Sequence, residues 1–150
     1  MDLMEVRFYH LQRSSVDQAL PQLLERATGQ GMRCVVTVGS EARLAHLDGY
    51  LWTYNPASFL GHGSGADPHA AKQPIWLSQK VENPNKASVL FLLDGMEAGD
   101  SKHFTLCCDL FDGNDEDAVA AARSRWKTLK DAGHELTYWQ QGDKGWEKKA

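Results

Sequence analysis

Arg123, Trp126, Lys127 and Lys130 are the residues of this chain whose types and spacing best fit a chemical task. They recur three, four and seven positions apart, so a helix stacks them along neighbouring faces. A guanidinium holds a carboxylate, and a flat indole beside it seats an apolar side chain. Ala118, Val119, Ala122, Trp126 and Leu129 form an apolar stripe on the same predicted helix, from about Asp115 to Ala132. Arg125 lies between Arg123 and Trp126. This pattern points to recognition of a small acidic partner rather than to catalysis. Residues alone also allow a plainer reading, with Trp126 in the core and the cations simply solvated.

A second candidate surface runs from Leu51-Trp52-Thr53 to Ser58-Phe59-Leu60. Two large aromatics, Trp52 and Phe59, flank a Pro-containing loop, a composition enriched at interfaces. The polar stretch after it holds Gly61-His62-Gly63-Ser64-Gly65, then Asp67 and His69. It reads as a flexible surface loop. Its three potential metal ligands sit on one loop without a second set, which is thin support for a metal site. Ser64 lacks the glycine pattern of a nucleophile elbow. Cys107-Cys108 falls in an apolar run, where alternation sends the thiols to opposite faces and buries them.

The elements that must position these residues alternate. Val6–Leu11, Cys34–Val38, Ile75–Leu77, Ser88–Leu93, Phe104–Phe111 and Glu135–Trp139 read as strands. Ser14 or Ser15 caps a helix carrying Val16, Leu20, Leu23, Leu24 and Ala27, although Pro21 interrupts its pattern. Ser40 caps a second helix with Leu44, Leu47 and Leu51 on one face. The third is the Asp115–Ala132 helix, with acidic residues in its first turn and Gly133 at its end. Strands alternating with helices predict an α/β fold: a single-domain, Rossmann-like three-layer sandwich around a mostly parallel sheet. The expected domain spans residues 1–140, with 141–150 a polar, frayed tail.

Such a fold commonly binds nucleotides at its first strand–helix turn. Here that turn, His10-Leu11-Gln12-Arg13-Ser14-Ser15, has no glycine, and no P-loop motif occurs anywhere. No catalytic constellation stands out, so a binding module is expected, without cofactor or intrinsic activity. The competing reading is a nucleotide- or metal-dependent enzyme using the Gly61–His69 loop.

Length and charge bound the rest. The chain has 150 residues, 42% hydrophobic and 24% charged, enough for one domain with a real core. Three cysteines make no disulfide framework, and no apolar run is long enough to span a bilayer, so a cytoplasmic protein is expected. The net charge of −4 is uneven. Residues 1–118 carry nine basic and sixteen acidic side chains, a net of −7, whereas 119–150 carry seven and four, a net of +3. A locally basic end on an acidic protein suits a short acidic partner better than a long polyanion, and direct binding of single-stranded DNA is not expected.

Several segments, in order, resemble the chi subunit of bacterial DNA polymerase III holoenzyme, an accessory subunit associated with the clamp loader. They are Phe8-Tyr9-His10-Leu11, Leu47-Asp48-Gly49-Tyr50-Leu51-Trp52, Ser58-Phe59-Leu60-Gly61-His62 and Ala122-Arg123-Ser124-Arg125-Trp126-Lys127 with Ala132-Gly133. The resemblance implies a Rossmann-like fold without nucleotide hydrolysis. It implies binding to the acidic C-terminal tail of single-stranded DNA-binding protein, which ends in a Phe carboxylate. It also implies the psi subunit, where present, as the link to the clamp loader. On that basis Arg123, Arg125, Trp126, Lys127 and Val119 fall on the tail-binding surface, and Trp52 and Phe59 on the psi-facing one. Val119 stands where well-known members carry a basic residue, and Trp126 where Tyr is usual.

Overall fold

The computed structural model describes residues 4–53, 61–65, 69–99, 104–143 and 145–150. Eight strands form one sheet: β1 (Glu5–Leu11), β2 (Cys34–Thr37), β3 (His62–Ser64), β4 (Ile75–Ser78), β5 (Val89–Leu92), β6 (Leu106–Asp112), β7 (Glu135–Gly142) and β8 (Gly145–Lys148). Their order is β3-β4-β2-β5-β6-β1-β7-β8, parallel throughout except for the terminal β7–β8 pair. The helices are α1 (Val16–Gly29), α2 (Glu41–Thr53) and α3 (Glu116–Asp131).

The expected three layers are present. Strand alternation divides the apolar side chains between two cores. Tyr9, Leu11, Val36, Phe91 and Leu110 pack on the α1–α2 face with Leu20, Leu24, Leu47 and Leu51. Val6, Phe8, Val35, Leu90 and Phe111 pack on the α3 face with Ala122, and with the half-buried Val119, Trp126 and Leu129. Cys108 belongs to the first core and Cys107 to the second, as alternation requires. β2, β4 and β5 are buried at every position, which is how strands covered on both faces present themselves.

The helix ends follow local chemistry. Ser15 caps α1 in a reciprocal capping box with Gln18. The helix runs through Pro21, whose ring is buried against the core, so tertiary packing offsets the lost backbone bond. Asp115 caps α3 by accepting from the Asp117 and Ala118 amides, and Gly133 follows that helix at φ 92°.

Two expectations are corrected. His62–Ser64 is not a free loop but an edge strand parallel to β4, with His62 and Gly63 buried. Its short sequence lacks the β-branched run that marks a strand, and only pairing with β4 makes it one. Likewise, within the expected 141–150 tail Gly145–Lys148 form β8, which pairs antiparallel with β7, and Trp146 packs edge-on against Tyr9 with ring centroids 4.9 Å apart. Trp146 ties this polar segment to the first core.

Candidate functional site

Alternation along β1 places His10 on the α3 side of the sheet, beside Phe8. On α3 the 3.6-residue period brings Val119, Arg123 and Trp126 over the same end of β1 and β7. Trp126 is half-buried, its indole edge-on to Phe8 at 5.4 Å and to Tyr138 of β7 at 5.9 Å. Arg123 is exposed, and so are Lys127 and Lys130. Among the described residues none of these three cations makes an ion pair.

Arg123, Val119 and Ala120 form one wall of a hollow of about 450 Å³, completed by His10, Gln12, Gly113 and Glu116. His10 and Tyr138 are hydrogen-bonded through Nδ1 and the phenol hydroxyl, and the Gln12 side-chain nitrogen lies 3.3 Å from His10 Nε2. Gly113 is needed here because a Cβ on it would lie 2.0 Å from the His10 ring. Burial lowers the proton affinity of the His10 ring; Gly113 hydrogen bonding and Asp112 oppose this and Arg123 reinforces it, leaving the ring below its ordinary 6.5. Burial pushes the Tyr138 phenol above its ordinary value, against the pull of Arg123. The site is therefore an open guanidinium next to a half-buried aromatic wall, with a neutral imidazole–phenol pair at its base. It can take an anionic group and an adjacent apolar one.

Arg125 is not part of that surface. Its guanidinium turns beneath α3 and donates from Nε (2.6 Å) and Nη2 (2.9 Å) to the Asp109 carboxylate of β6. Asp109 is 1% exposed. Burial pushes its carboxyl up and Arg125 pulls it back. Spacing places Arg125 among its basic neighbours but cannot show which way a long side chain turns, and here it turns to Asp109.

The second candidate surface is seen in part. Trp52, at the end of α2, is the one exposed large hydrophobic side chain among the described residues, at 47% exposure. Its ring centroid lies 4.1 Å from that of His62. Phe59 lies outside the described residues, as does Asp67. His62 is enclosed, with Nε2 3.0 Å from Asp48 Oδ1. Among the described residues no three His, Cys, Asp or Glu side chains gather as a metal site. The three thiols are buried, and burial pushes Cys34 up to about 12 and Cys107 and Cys108 upward as well, so none is poised as a nucleophile.

The usual nucleotide seat is filled from within. The backbone amides of Gln12 (3.0 Å), Arg13 (2.9 Å) and Ser14 (3.2 Å) all donate to Gln141 Oε1 of β7. Gln141 Nε2 donates to Ser14 Oγ at 2.8 Å. Three convergent amides suit a phosphate oxygen, and here a neutral side chain of the same protein takes that place. Sequence reading missed Gln141, Tyr138 and His10. For His10 the β1 alternation was a usable signal; for the two β7 residues no local signal existed.

Comparison with known proteins decides the family. The model described as "DNA polymerase III chi subunit, HolC" matches residues 3–137. The chain belongs to the DNA polymerase III chi-subunit family.

Among curated chi-family relatives, the probable DNA polymerase III subunit chi of Rickettsia prowazekii is 32% identical over 91 residues. That match covers 61% of this chain and about half, 55%, of the relative. The DNA polymerase III subunit chi of Pseudomonas aeruginosa is 27% identical over 120 residues, covering 79% of this chain and 82% of the relative. The family is that of an accessory subunit of the replicative DNA polymerase III. No helix among the described residues is long and apolar enough to cross a membrane.

Proposed function

We propose that this chi-family chain is a non-catalytic, cytoplasmic replication subunit that binds the acidic C-terminal tail of single-stranded DNA-binding protein through α3. It thereby couples that protein to the polymerase III clamp loader, with the psi subunit as the link where one is present. The observation that carries the reading is Arg123: a cation that makes no ion pair among the described residues, on the wall of a hollow and one turn from the half-buried Trp126. The guanidinium takes the terminal carboxylate, and the Val119–Trp126 side takes the terminal ring. Lys127 and Lys130 attract the acidic residues before it. The exposed Trp52 supports the psi-facing surface.

Burying one Phe side chain contributes about 1.5–3 kcal/mol, and a charge-assisted hydrogen bond about as much again. After association costs, the expected affinity is on the order of micromolar. Calorimetric titration with an acidic peptide ending in Phe tests the reading. Micromolar binding, weakened at least about tenfold by Arg123→Ala and by added salt, is the expected result. The absence of heat at high micromolar peptide, or an Arg123→Ala protein that binds unchanged, overturns it.

A further inference from the structure

His10 is chemically unusual in its place. It lines the hollow together with Arg123, and among the described residues its hydrogen-bond partners, the Tyr138 and Gln12 side chains and the Gly113 backbone, are all neutral. The groups facing it can be stated from every side. β7 presents the Tyr138 hydroxyl, and β1 presents Gln12. The end of β6 and its turn present Phe111, Asp112 and Gly113, and α3 presents Arg123 and Glu116. Asp112 is the one carboxylate that draws a proton to the ring, and its Oδ1 already accepts from the Asn114 amide at 2.9 Å. Burial, reinforced by Arg123, therefore lowers the ring's affinity for a proton.

A docked carboxylate reverses this balance. It neutralises Arg123 and sets a negative charge in the same hollow as the imidazole. We propose that His10 is a second anchor of this site, taking up a proton when an anionic chain terminus docks beside Arg123, so that docking tightens as the solution is acidified. The inference rests on the proposed tail-binding reading and adds a contact residue to it. The proton is accommodated without losing the Tyr138 bond. In the neutral ring Nε2 accepts from the Gln12 side-chain amide while Nδ1–H donates to the Tyr138 oxygen; protonation at Nε2 gives up the Gln12 bond, and the new Nε2–H is free to donate to the docked anion. The pair thus stays joined in both states while the ring gains a charge complementary to the ligand.

The test is calorimetry of the full chain with an acidic peptide ending in a free Phe carboxylate, and with its C-terminal amide, at several pH values. The wild-type protein should bind the free acid about three- to tenfold more tightly near pH 5.5 than near pH 8, the effect of raising one imidazole by roughly half to one unit. The amide should bind weakly and show no such slope. His10→Leu should still bind the free acid but with a flat profile, and Tyr138→Phe should change the profile without abolishing binding. NMR titration of the His10 ring in the wild-type protein should show its midpoint moving upward when peptide is present. If His10→Leu keeps the wild-type slope, or the ring titrates at the same pH with and without peptide, this inference fails while the tail-binding reading stands. If the wild-type chain does not bind the free acid at any pH, both fail.

Discussion

Arg123 and Arg125 stand two residues apart on one helix and live in different worlds. Arg125 points under α3, where its side chain is 10% exposed and gripped by a carboxylate 2% exposed. Arg123 stands on the outer flank, exposed, above a hollow it shares with His10. The first is part of how α3 is attached to the sheet; the second is available to something outside the chain. A helix turns 100° per residue, so two positions rotate a side chain by more than half a circle. The two arginines of the same short motif are thereby split between a buried ion pair and an exposed face.

The largest expected break in this comparison comes from Arg125→Ala. It strands the buried Asp109 charge, and removing one partner of such a pair costs about 3–5 kcal/mol. Urea denaturation should register that loss, whereas Arg123→Ala should stay within about 0.5 kcal/mol of wild type. Equal effects from the two substitutions would erase the distinction. Replacing Asp109 and Arg125 together with apolar residues of similar volume should cost far less than Arg125→Ala alone, because no uncompensated charge remains.

Next in size is Gln141→Ala. It takes away the oxygen shared by the Gln12, Arg13 and Ser14 amides. These amides reach solvent, so water replaces part of what is lost, and a decrease of about 1 kcal/mol is expected. Hydrogen exchange at the three amides should accelerate in the variant. Unchanged exchange would show that Gln141 does not hold the turn.

The smallest effect involves a third arginine, intermediate between the other two. Arg43 of α2 binds Asp17 of α1 (2.9 Å) and Asp94 after β5 (3.1 Å), and is 30% exposed. Burial pushes the Asp17 carboxyl up, but the hydrogen bonds and charge of Arg43, helped by His46, outweigh it and hold the carboxyl below its ordinary 3.8. A carboxyl depressed in the folded state stabilises it above the unfolded value and ceases to do so as pH falls through the folded one. Stability should therefore drop below about pH 4, and Asp17→Asn should flatten that drop. A wild-type acid limb that matches the variant's would remove Arg43 from the set of structural arginines.

Much of the fold was legible in the residues themselves. The apolar runs of β2 and β5, the serine cap of α1 and the α3 stripe are local patterns, and the structure follows them. For the candidate site, exposure and packing were legible to the level of the helix. Arg123, Lys127 and Lys130 emerge from spacing alone as an exposed basic flank, and Val119 and Trp126 as its apolar neighbours. His10 and Tyr138 were not, because they lie 128 residues apart and meet only through the parallel pairing of β1 with β7. His62–Ser64 and the β8 segment were read as loop and tail because strands this short, with glycine and polar residues, owe their existence to a partner strand.

The sequence by itself determined the element order, the two-faced sheet, the absence of a glycine-rich phosphate loop and the motif order of the chi family. These are properties of neighbouring residues, set by period, propensity and spacing. Tertiary structure alone decided which arginine is locked and which is open, that Gln141 fills the first turn, and that an imidazole–phenol pair lies beneath Arg123. Each depends on side chains brought together from separate elements, and a distance between two points on different strands is not encoded in either stretch of chain alone.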